Sequence, residues 1–296
     1  MSSCTYQMHW QNHNTSQRNG LLLTYLQAFI LICGCIMPTY SYADLRLTGQ
    51  AVQGGLIIGQ TEPGALVTLD GAPLAVTKDG LFLVGFHRDD TDDQIVHITL
   101  PDGAASAHIL TPKPRKWEVQ RINGLAQKYV SPPDDVIARI SADREAVSIA
   151  RRGTDIEPSL FENGFSWPVS GPVTGVYGSQ RILNGNPRQP HYGIDIAAPK
   201  GTIVKTSAPG RVTMAKDLYY TGWTVIIDHG FGLTSTYSHL DEAEVSVGDT
   251  VSVSQVIGRV GSTGRSTGAH LDWRVNLGAK RLDPQIVAQV LNPDSR

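Results

Sequence analysis

Short apolar runs bounded by turn residues dominate the chain from residue 44 to about residue 115. Four of these runs have the length and composition of strands, and Asp-Gly pairs that favour tight turns lie close to them. The strand candidates cover residues 56–59, 65–69, 81–86 and 95–100, and the turns lie at residues 70–71, 79–80 and 102–103. The regular spacing predicts a small β-sandwich of immunoglobulin-like type. The sequence leaves two functions of this sandwich open: it could be a spacer or interaction module, or it could bind carbohydrate.

The pattern changes over residues 116–163, where apolar positions follow near-helical spacing. Residues 131–134 (Ser-Pro-Pro-Asp) offer a capping hydroxyl, proline for the first turn and an acid at the positive end of the helix. Residues 151–153 (Arg-Arg-Gly) are typical of a helix end. The apolar positions between them are Val136, Ile140, Val147 and Ala150. This segment is predicted to be a helical connector.

Glycine-bounded strands return over residues 164–296. Residues 224–228 and 256–260 are rich in β-branched side chains, with Gly222, Gly230 and Gly261 at their borders. Residues 283–291 begin with Asp-Pro and continue with apolar side chains, which predicts a short final helix. We therefore expect a mainly β protein with four parts. These are an N-terminal segment at residues 1–43, a sandwich at 44–115, a helical connector at 116–163 and a second β domain at 164–296.

Residues 1–43 have the features of a secretory signal peptide. An apolar run at 21–36 follows a polar start, Pro38 ends the run, and residues 41–43 offer small side chains for cleavage. An uncleaved membrane anchor and a lipoprotein site at Cys35 are the alternatives. The run is short for a membrane span and contains Gln27. We therefore expect secretion to the periplasm or cell surface, without a stable membrane span in the mature protein.

Composition narrows the possible functions. The formal net charge of −2 over 296 residues gives no support for nucleic-acid binding. All three cysteines precede residue 44, so a mature protein would use neither disulfides nor a thiol nucleophile. The chain contains no H-E-x-x-H, G-x-S-x-G or P-loop motif.

Three separate segments carry imidazole and carboxylate groups in strand-like surroundings. His191 and Asp195 are four residues apart, so an extended strand can point both toward one ion, and Gly193 between them would leave room for it. His270 and Asp272 can likewise share one face. Nitrogen and oxygen ligands with spare histidines nearby are what a metal-centred hydrolytic site requires.

These segments resemble the lysostaphin/LytM-type zinc metallopeptidases, which cut peptide cross-links in bacterial cell walls. That family has the motifs H-x-x-x-D, a histidine in Y-x-H-L, and H-x-H followed by an aromatic residue. The chain matches the first motif at His191 and Asp195 and the second at His239. Further similar stretches are residues 193–202, 208–212, 247–249 and 261–268, and the resemblance extends over roughly residues 164–285.

The resemblance implies a LytM-type antiparallel β-sheet hydrolase domain with one Zn²⁺. It implies that His191 and Asp195 are zinc ligands and that His239 and His270 are catalytic proton carriers. The third motif differs, because Asp272 stands where the family has its second histidine. Aspartate binds zinc at about 2.0–2.2 Å, so Asp272 would be the third ligand. We expect the two carboxylates to neutralise the ion's charge, to leave its water less acidic and to favour manganese or magnesium slightly.

The function implied by the resemblance is a secreted zinc endopeptidase that hydrolyses peptide stems or cross-links of peptidoglycan. A D-amino-acid cross-link in a Gram-negative wall is the expected target. One alternative is a non-enzymatic LytM-like regulator that binds the wall or a partner such as a cell-wall amidase. Another is a wall-binding module in which the sandwich has the main role. The connector helix is expected either to be structural or to lie over the active-site groove. His229 is expected to be structural, and Asp249 to form a turn.

Overall fold

The computed structural model describes residues 45–124, 132–152 and 159–292. The predicted signal peptide or anchor, all the cysteines, and the predicted helix ends at Ser131 and Gly153 lie outside the described residues. Among the residues described, no helix is long and apolar enough to cross a membrane.

Strands make up most of the regular structure, as the sequence predicts. The first eight strands are β1 (Arg46–Gly49), β2 (Leu56–Gln60), β3 (Leu66–Leu69), β4 (Ala72–Pro73), β5 (Leu81–Gly85), β6 (Gln94–Thr99), β7 (Ala105–Leu110) and β8 (Val119–Ile122). The others are β9 (Val173–Gly175), β10 (Gln180–Leu183), β11 (Asn186–Pro187), β12 (Ile194–Ala197), β13 (Ile203–Lys205), β14 (Gly210–Leu218), β15 (Gly222–Asp228), β16 (Leu233–Ala243), β17 (Thr250–Val251), β18 (Val256–Val260), β19 (His270–Leu277) and β20 (Lys280–Leu282). The α-helices are α1 (Ile137–Ala150) and α2 (Pro284–Leu291).

The first seven strands form the predicted β-sandwich. One sheet has the order β1-β2-β5 and the other β4-β3-β6-β7, which is an immunoglobulin-like arrangement with the fourth strand at the edge of the second sheet. Phe82, Val84, Phe86, Val96 and Ile98 are fully buried between the sheets. The four predicted strands are confirmed as β2, β3, β5 and β6. The pattern missed β1 and β7, because β1 is exposed throughout and β7 consists mostly of small or polar residues.

A ten-stranded antiparallel sheet forms the second β domain. Its main path is β17-β14-β15-β16-β19-β12-β9, with β13, β18 and β20 paired to its members. Trp273 and Tyr237 are the largest of its fully buried side chains. The register pairs Asp195 on β12 with Asp272 on β19, and Asp272 with Ser238 on β16. This central part of the sheet therefore brings distant sequence segments to one place.

The connector contains the predicted helix and also a strand. A 3-10 turn at Asp134–Val136 leads into α1, whose N-terminus has no side-chain cap. The apolar side of α1 packs on Met214, Leu218 and Ile226 of β14 and β15, and the carboxylate of Asp143 accepts a hydrogen bond of 2.8 Å from the backbone N–H of Tyr219. Upstream, β8 pairs in parallel with β10. The connector is thus attached to the second β domain at two places.

The sandwich and the large sheet share apolar contacts. Leu56 and Leu83 belong to the sandwich strands, but both are buried in the core that contains Trp273 and α2. The backbone N–H of Asp283 donates to the carbonyl of Gly54 at 2.7 Å, and Arg115 Nη1 lies 2.9 Å from Asp283 Oδ2.

Truncation of Leu83 is expected to test this shared core. Leu83→Ala should lower the free energy of unfolding in urea by about 2–5 kcal/mol, because a buried leucine leaves a cavity when it is shortened. Leu66 is 71% exposed in the same sandwich, so Leu66→Ala is the matched control, with an expected change within about 0.5 kcal/mol. Equal effects of the two substitutions would contradict the packing.

Candidate metal centre

Three predicted site residues meet at the centre of the large sheet. One ligand atom each from His191, Asp195 and Asp272 can be chosen so that all lie within 4.8 Å of one another. Asp195 and Asp272 face each other across β12 and β19. His191 precedes β12, and its backbone is fixed by hydrogen bonds of 2.7 Å to Gly178 N–H and 2.9 Å to the Ser179 carbonyl. The structure therefore brings the proposed ligands together.

The His191 ring and one oxygen of Asp195 have the properties of metal donors. His191 Nε2 lies 3.0 Å from Asp195 Oδ1, yet neither atom has a hydrogen bond of normal geometry within the described residues, and the same holds for His191 Nδ1. Buried polar atoms are nearly always hydrogen-bonded, so this group requires an explanation. A divalent cation held by nitrogen and oxygen would supply the missing interactions.

The protonation states suit a cation. Burial lowers the pKa of His191, with partial opposition from Asp195, so the imidazole is held in its neutral, metal-binding form. Burial alone would raise the pKa of Asp195, but His191 and Arg181 outweigh it and lower this pKa to about 2. Arg181 Nη2 donates to Asp195 Oδ2 at 2.5 Å and leaves Oδ1 for the ion.

Asp272 is paired with a second arginine that the sequence prediction did not include. Arg274 donates through Nε to Asp272 Oδ1 at 2.9 Å and through Nη2 to Oδ2 at 2.5 Å. Burial would raise the pKa of Asp272, but Arg274 holds it well below its usual range. Each carboxylate oxygen has a second lone pair, and ligating carboxylates commonly have such outer partners, so the residues present fit a metal.

The pairing changes the expected charge of the site. Arg181 neutralises Asp195, and Arg274 neutralises Asp272. The expectation that two carboxylates would neutralise the ion's charge is therefore wrong for the site as a whole. The signal for Arg274 is present in the sequence, since it lies two residues after Asp272 on one strand. Arg181 lies in β10, upstream of the His191–Asp195 motif and outside it, so the motif itself does not point to Arg181.

Gly193 makes room for the arginine pair. A Cβ atom at Gly193 would lie 2.5 Å from Cγ of Arg274, 2.6 Å from the Trp273 carbonyl oxygen and 2.9 Å from Asp272 Oδ1. The prediction that Gly193 leaves room for the ion stays a prediction, since Asp272 Oδ1 is also a proposed ligand atom. The space that the absent side chain leaves belongs to Arg274 and its carboxylate.

His239 and His270 lie beside the three residues. Their ring centroids are 4.8 Å apart, and His270 Nε2 lies 3.8 Å from Asp195 Oδ1. Nδ1 of His239 is 2.8 Å from the Thr263 carbonyl, and Nδ1 of His270 is 2.8 Å from the Gly268 carbonyl. A carbonyl only accepts, so these contacts assign the proton to Nδ1 and leave Nε2 of each neutral ring as a proton acceptor.

His239 combines burial with an unusual backbone. Its φ of 61° lies in the left-handed region, at an irregularity in the pairing of β15 and β16. Burial lowers the pKa of His239 to about 4, so its ring is neutral at neutral pH. Backbone strain of this kind in non-glycine residues is concentrated at functional sites.

Two other residues take the positions expected of structural groups. His229 is fully buried, with Nδ1 2.7 Å from the Pro209 carbonyl and Nε2 2.7 Å from Ser235 Oγ. Asp249 Oδ2 accepts a hydrogen bond of 2.8 Å from the Ser246 N–H in a turn.

Stability is expected to fall in acid partly through His229. Burial lowers the pKa of His229 to about 4, below the value near 6.5 of an unfolded histidine, so protons favour the unfolded chain. The contribution of His229 to the free energy of unfolding is fully present above pH 6.5. It is lost as the pH falls toward 4, at a rate on the order of 1 kcal/mol per pH unit. Urea unfolding with a chelator should show a shallower pH dependence for His229→Gln. His97→Gln, at an exposed histidine of β6, should keep the original slope.

Comparisons with known proteins agree with this geometry. Residues 189–284 match Peptidase family M23. A crystal structure from Pseudomonas aeruginosa assigned to peptidase M23 superposes with a TM-score of 0.63 at 26% identity, over 81% of this chain and 95% of that one. Residues 189–284 thus contain a Peptidase family M23 domain, and the chain has the M23 metallopeptidase fold. Its resemblance to lysostaphin/LytM-type metallopeptidases is confirmed.

Named relatives include both hydrolases and an activator. The chain is 34% identical to Peptidoglycan DD-endopeptidase ShyA of Vibrio cholerae over 46% of its length and 35% of the relative's. It is 39% identical to Murein hydrolase activator EnvC of Escherichia coli over 51% of its length and 41% of the relative's. The matches therefore span well under half of each relative.

Proposed function

We propose that the protein is a zinc-dependent endopeptidase that hydrolyses peptide bonds of peptidoglycan outside the cytoplasm. The observation that carries this proposal is the set of buried donor atoms on His191 and Asp195 beside the His239–His270 pair. The match of residues 189–284 to Peptidase family M23 and a DD-endopeptidase among the relatives support the substrate class.

The residues of the site would divide the chemistry between them. His191, Asp195 and Asp272 would hold the zinc ion, and Arg181 and Arg274 would orient the two carboxylates. Bound zinc supplies Lewis-acid activation of the scissile carbonyl and of the attacking water. His239, neutral because of its burial, accepts the water's proton at Nε2 and returns it to the leaving amine. In its imidazolium form, His270 would donate a hydrogen bond from Nε2 to the developing oxyanion.

Release of muropeptides from purified sacculi tests the proposal. The chain with zinc should release new fragments, and these should disappear when a chelator is added. The masses of the fragments would identify the bond. Absence of fragments with zinc, manganese and magnesium would overturn the enzymatic proposal.

A second candidate function is activation of a cell-wall amidase without catalysis. The observation that favours it is the pairing of Asp195 with Arg181 and of Asp272 with Arg274, which balances the charge without an ion. The relative named as a murein hydrolase activator supports the same candidate. It predicts that the chain releases nothing alone, but increases release by an added amidase equally with and without chelator.

A further inference from the structure

A cavity of about 860 Å³ lies between α1 and the face of the large sheet that carries Asp272. Ile140, Val147 and Arg151 line it from the helix side. Side chains of β15, β16 and β19, together with the segment after β19, form its other walls. These include Thr224, Thr236, Ser238, Arg274, Asn276 and Arg281. A volume of this size is typical of small-molecule and peptide sites.

The cavity wall carries an excess of positive charge. Arg274 reaches it but is already paired with Asp272. Arg151 and Arg281 have no carboxylate within ion-pair distance in the described part of the chain, and Arg281 is stacked on the ring of Tyr192 at 4.2 Å. Asp143, at the helix side, is engaged by Lys216 and by the Tyr219 N–H. Within residues 45–124, 132–152 and 159–292, two cationic side chains thus have no counter-charge at ion-pair distance.

Arg151 is the least satisfied of these groups. Among the residues that the structure describes, its buried Nε has no hydrogen-bond partner, and its Nη2 makes a long contact of 3.5 Å with Thr236 Oγ1. Burial, Arg274 and Arg281 lower the pKa of Arg151 to about 9, which reflects the unfavourable clustering of cations. Burial of an unpaired charge is costly, so a bound anion would relieve the cluster.

The neutral lining suits the same kind of ligand. The hydroxyl groups of Thr236 and Ser238 and the amide of Asn276 can donate hydrogen bonds into the cavity, whereas the Thr224 hydroxyl already donates to the Gly222 carbonyl. A planar guanidinium group matches a carboxylate with two parallel hydrogen bonds. Because Arg274 contacts both Asp272 and the cavity, a ligand held there lies directly beside the candidate metal centre.

We propose that this cavity binds a carboxylate group of the peptide substrate, with Arg151 as its main determinant. The inference rests on the proposed function for the choice of a peptide. Wall peptides carry carboxylates at the chain terminus and on side chains, and both share the chemistry that the arginines recognise. The connector helix, through Arg151, would then contribute to specificity and not only to structure.

Binding of short peptides to the full chain carrying His191→Ala tests the proposal without hydrolysis. The probes are an N-acetylated peptide ending in D-Ala-D-Ala with a free carboxylate, the same peptide as its amide, and an amide that contains D-glutamate. By calorimetry, the free acid should bind at least about tenfold more tightly than its amide. Tight binding of the D-glutamate peptide instead would assign the site to a side-chain carboxylate.

Substitutions at Arg151 make the test specific. Arg151→Gln should remove most of the tenfold preference, and Arg151→Lys, which keeps the charge and disturbs folding less, should retain part of it. Arg211→Gln removes an exposed arginine of β14 outside the cavity and should leave the preference unchanged. Equal binding of all three probes, or an unchanged preference in both Arg151 variants, would overturn the proposal.

The result that would reject the proposed function differs from the result that would reject the anion site. Absence of zinc-dependent muropeptide release with a preserved carboxylate preference would reject the peptidase and keep the anion site. Release from sacculi without any carboxylate preference would reject the anion site alone.

Discussion

Asp272→Ala is expected to lower the free energy of unfolding by about 3 kcal/mol or more, even when no metal is present. Asp272 is fully buried, and its carboxylate is the only ion-pair partner of Arg274 within the described residues. Removal of the carboxylate leaves a guanidinium group largely buried without its counter-charge, which is more costly than the loss of a surface ion pair. Urea unfolding in the presence of a chelator measures this effect without any contribution from zinc.

A double-mutant cycle separates the ion pair from simple loss of packing. Asp272→Ala combined with Arg274→Ala should be less destabilising than the sum of the two single substitutions, since the double variant leaves no charge unpaired. Asp249→Ala, at an exposed turn carboxylate, is the matched control and should change stability little. A cost below about 1 kcal/mol for Asp272→Ala would contradict a structural role for the pair.

Removal of His191 should abolish hydrolysis, and removal of His239 should strongly reduce it, for different reasons. His191→Ala removes a proposed ligand, so both bound zinc and muropeptide release should be lost. His239→Ala should reduce release by about 10²–10⁴-fold while zinc binding is retained, because a general base contributes to the rate and not to the ion's affinity. Equilibrium dialysis with elemental analysis gives the zinc content, and the sacculus assay gives the rate.

His97→Ala, on the exposed side of β6, controls for loss of a histidine in general. It should leave both measurements unchanged. Hydrolysis that survives His191→Ala would reject the metal centre, whereas loss of zinc in His239→Ala would move His239 from proton transfer to ligation.

Local patterns were sufficient for much of the fold. Alternation of apolar and polar positions predicted strands β2, β3, β5 and β6, and near-helical spacing predicted α1. These predictions succeeded because burial of one face of a strand or helix makes apolar residues recur at a regular spacing, which can be recognised within a short stretch of sequence. Strand β8 was not predicted, because its parallel pairing with β10 joins residues some sixty positions apart and produces no local sequence pattern.

The candidate site shows the same division between local and distant information. The spacing of His191 and Asp195 and the position of Asp272 could be recognised within single strands. The packing of α1 over the sheet, with Arg151 near Arg274, depends on tertiary contacts that the sequence does not specify locally. The charge balance of the centre follows from two arginines in separate strands, so no single motif could contain it.

The attachment of the connector also limits how this protein can be shortened. A fragment that begins at residue 165 would lose β8 and α1, and would thereby uncover Met214, Leu218 and Ile226 together with one hydrogen-bonding edge of β10. A bare strand edge next to an apolar patch is a template for self-association. Poor solubility or inactivity of such a fragment would then reflect aggregation. The smallest well-behaved unit for crystallisation or engineering should retain β8 and α1 and also the sandwich, whose Leu56 and Leu83 share the core of the large sheet.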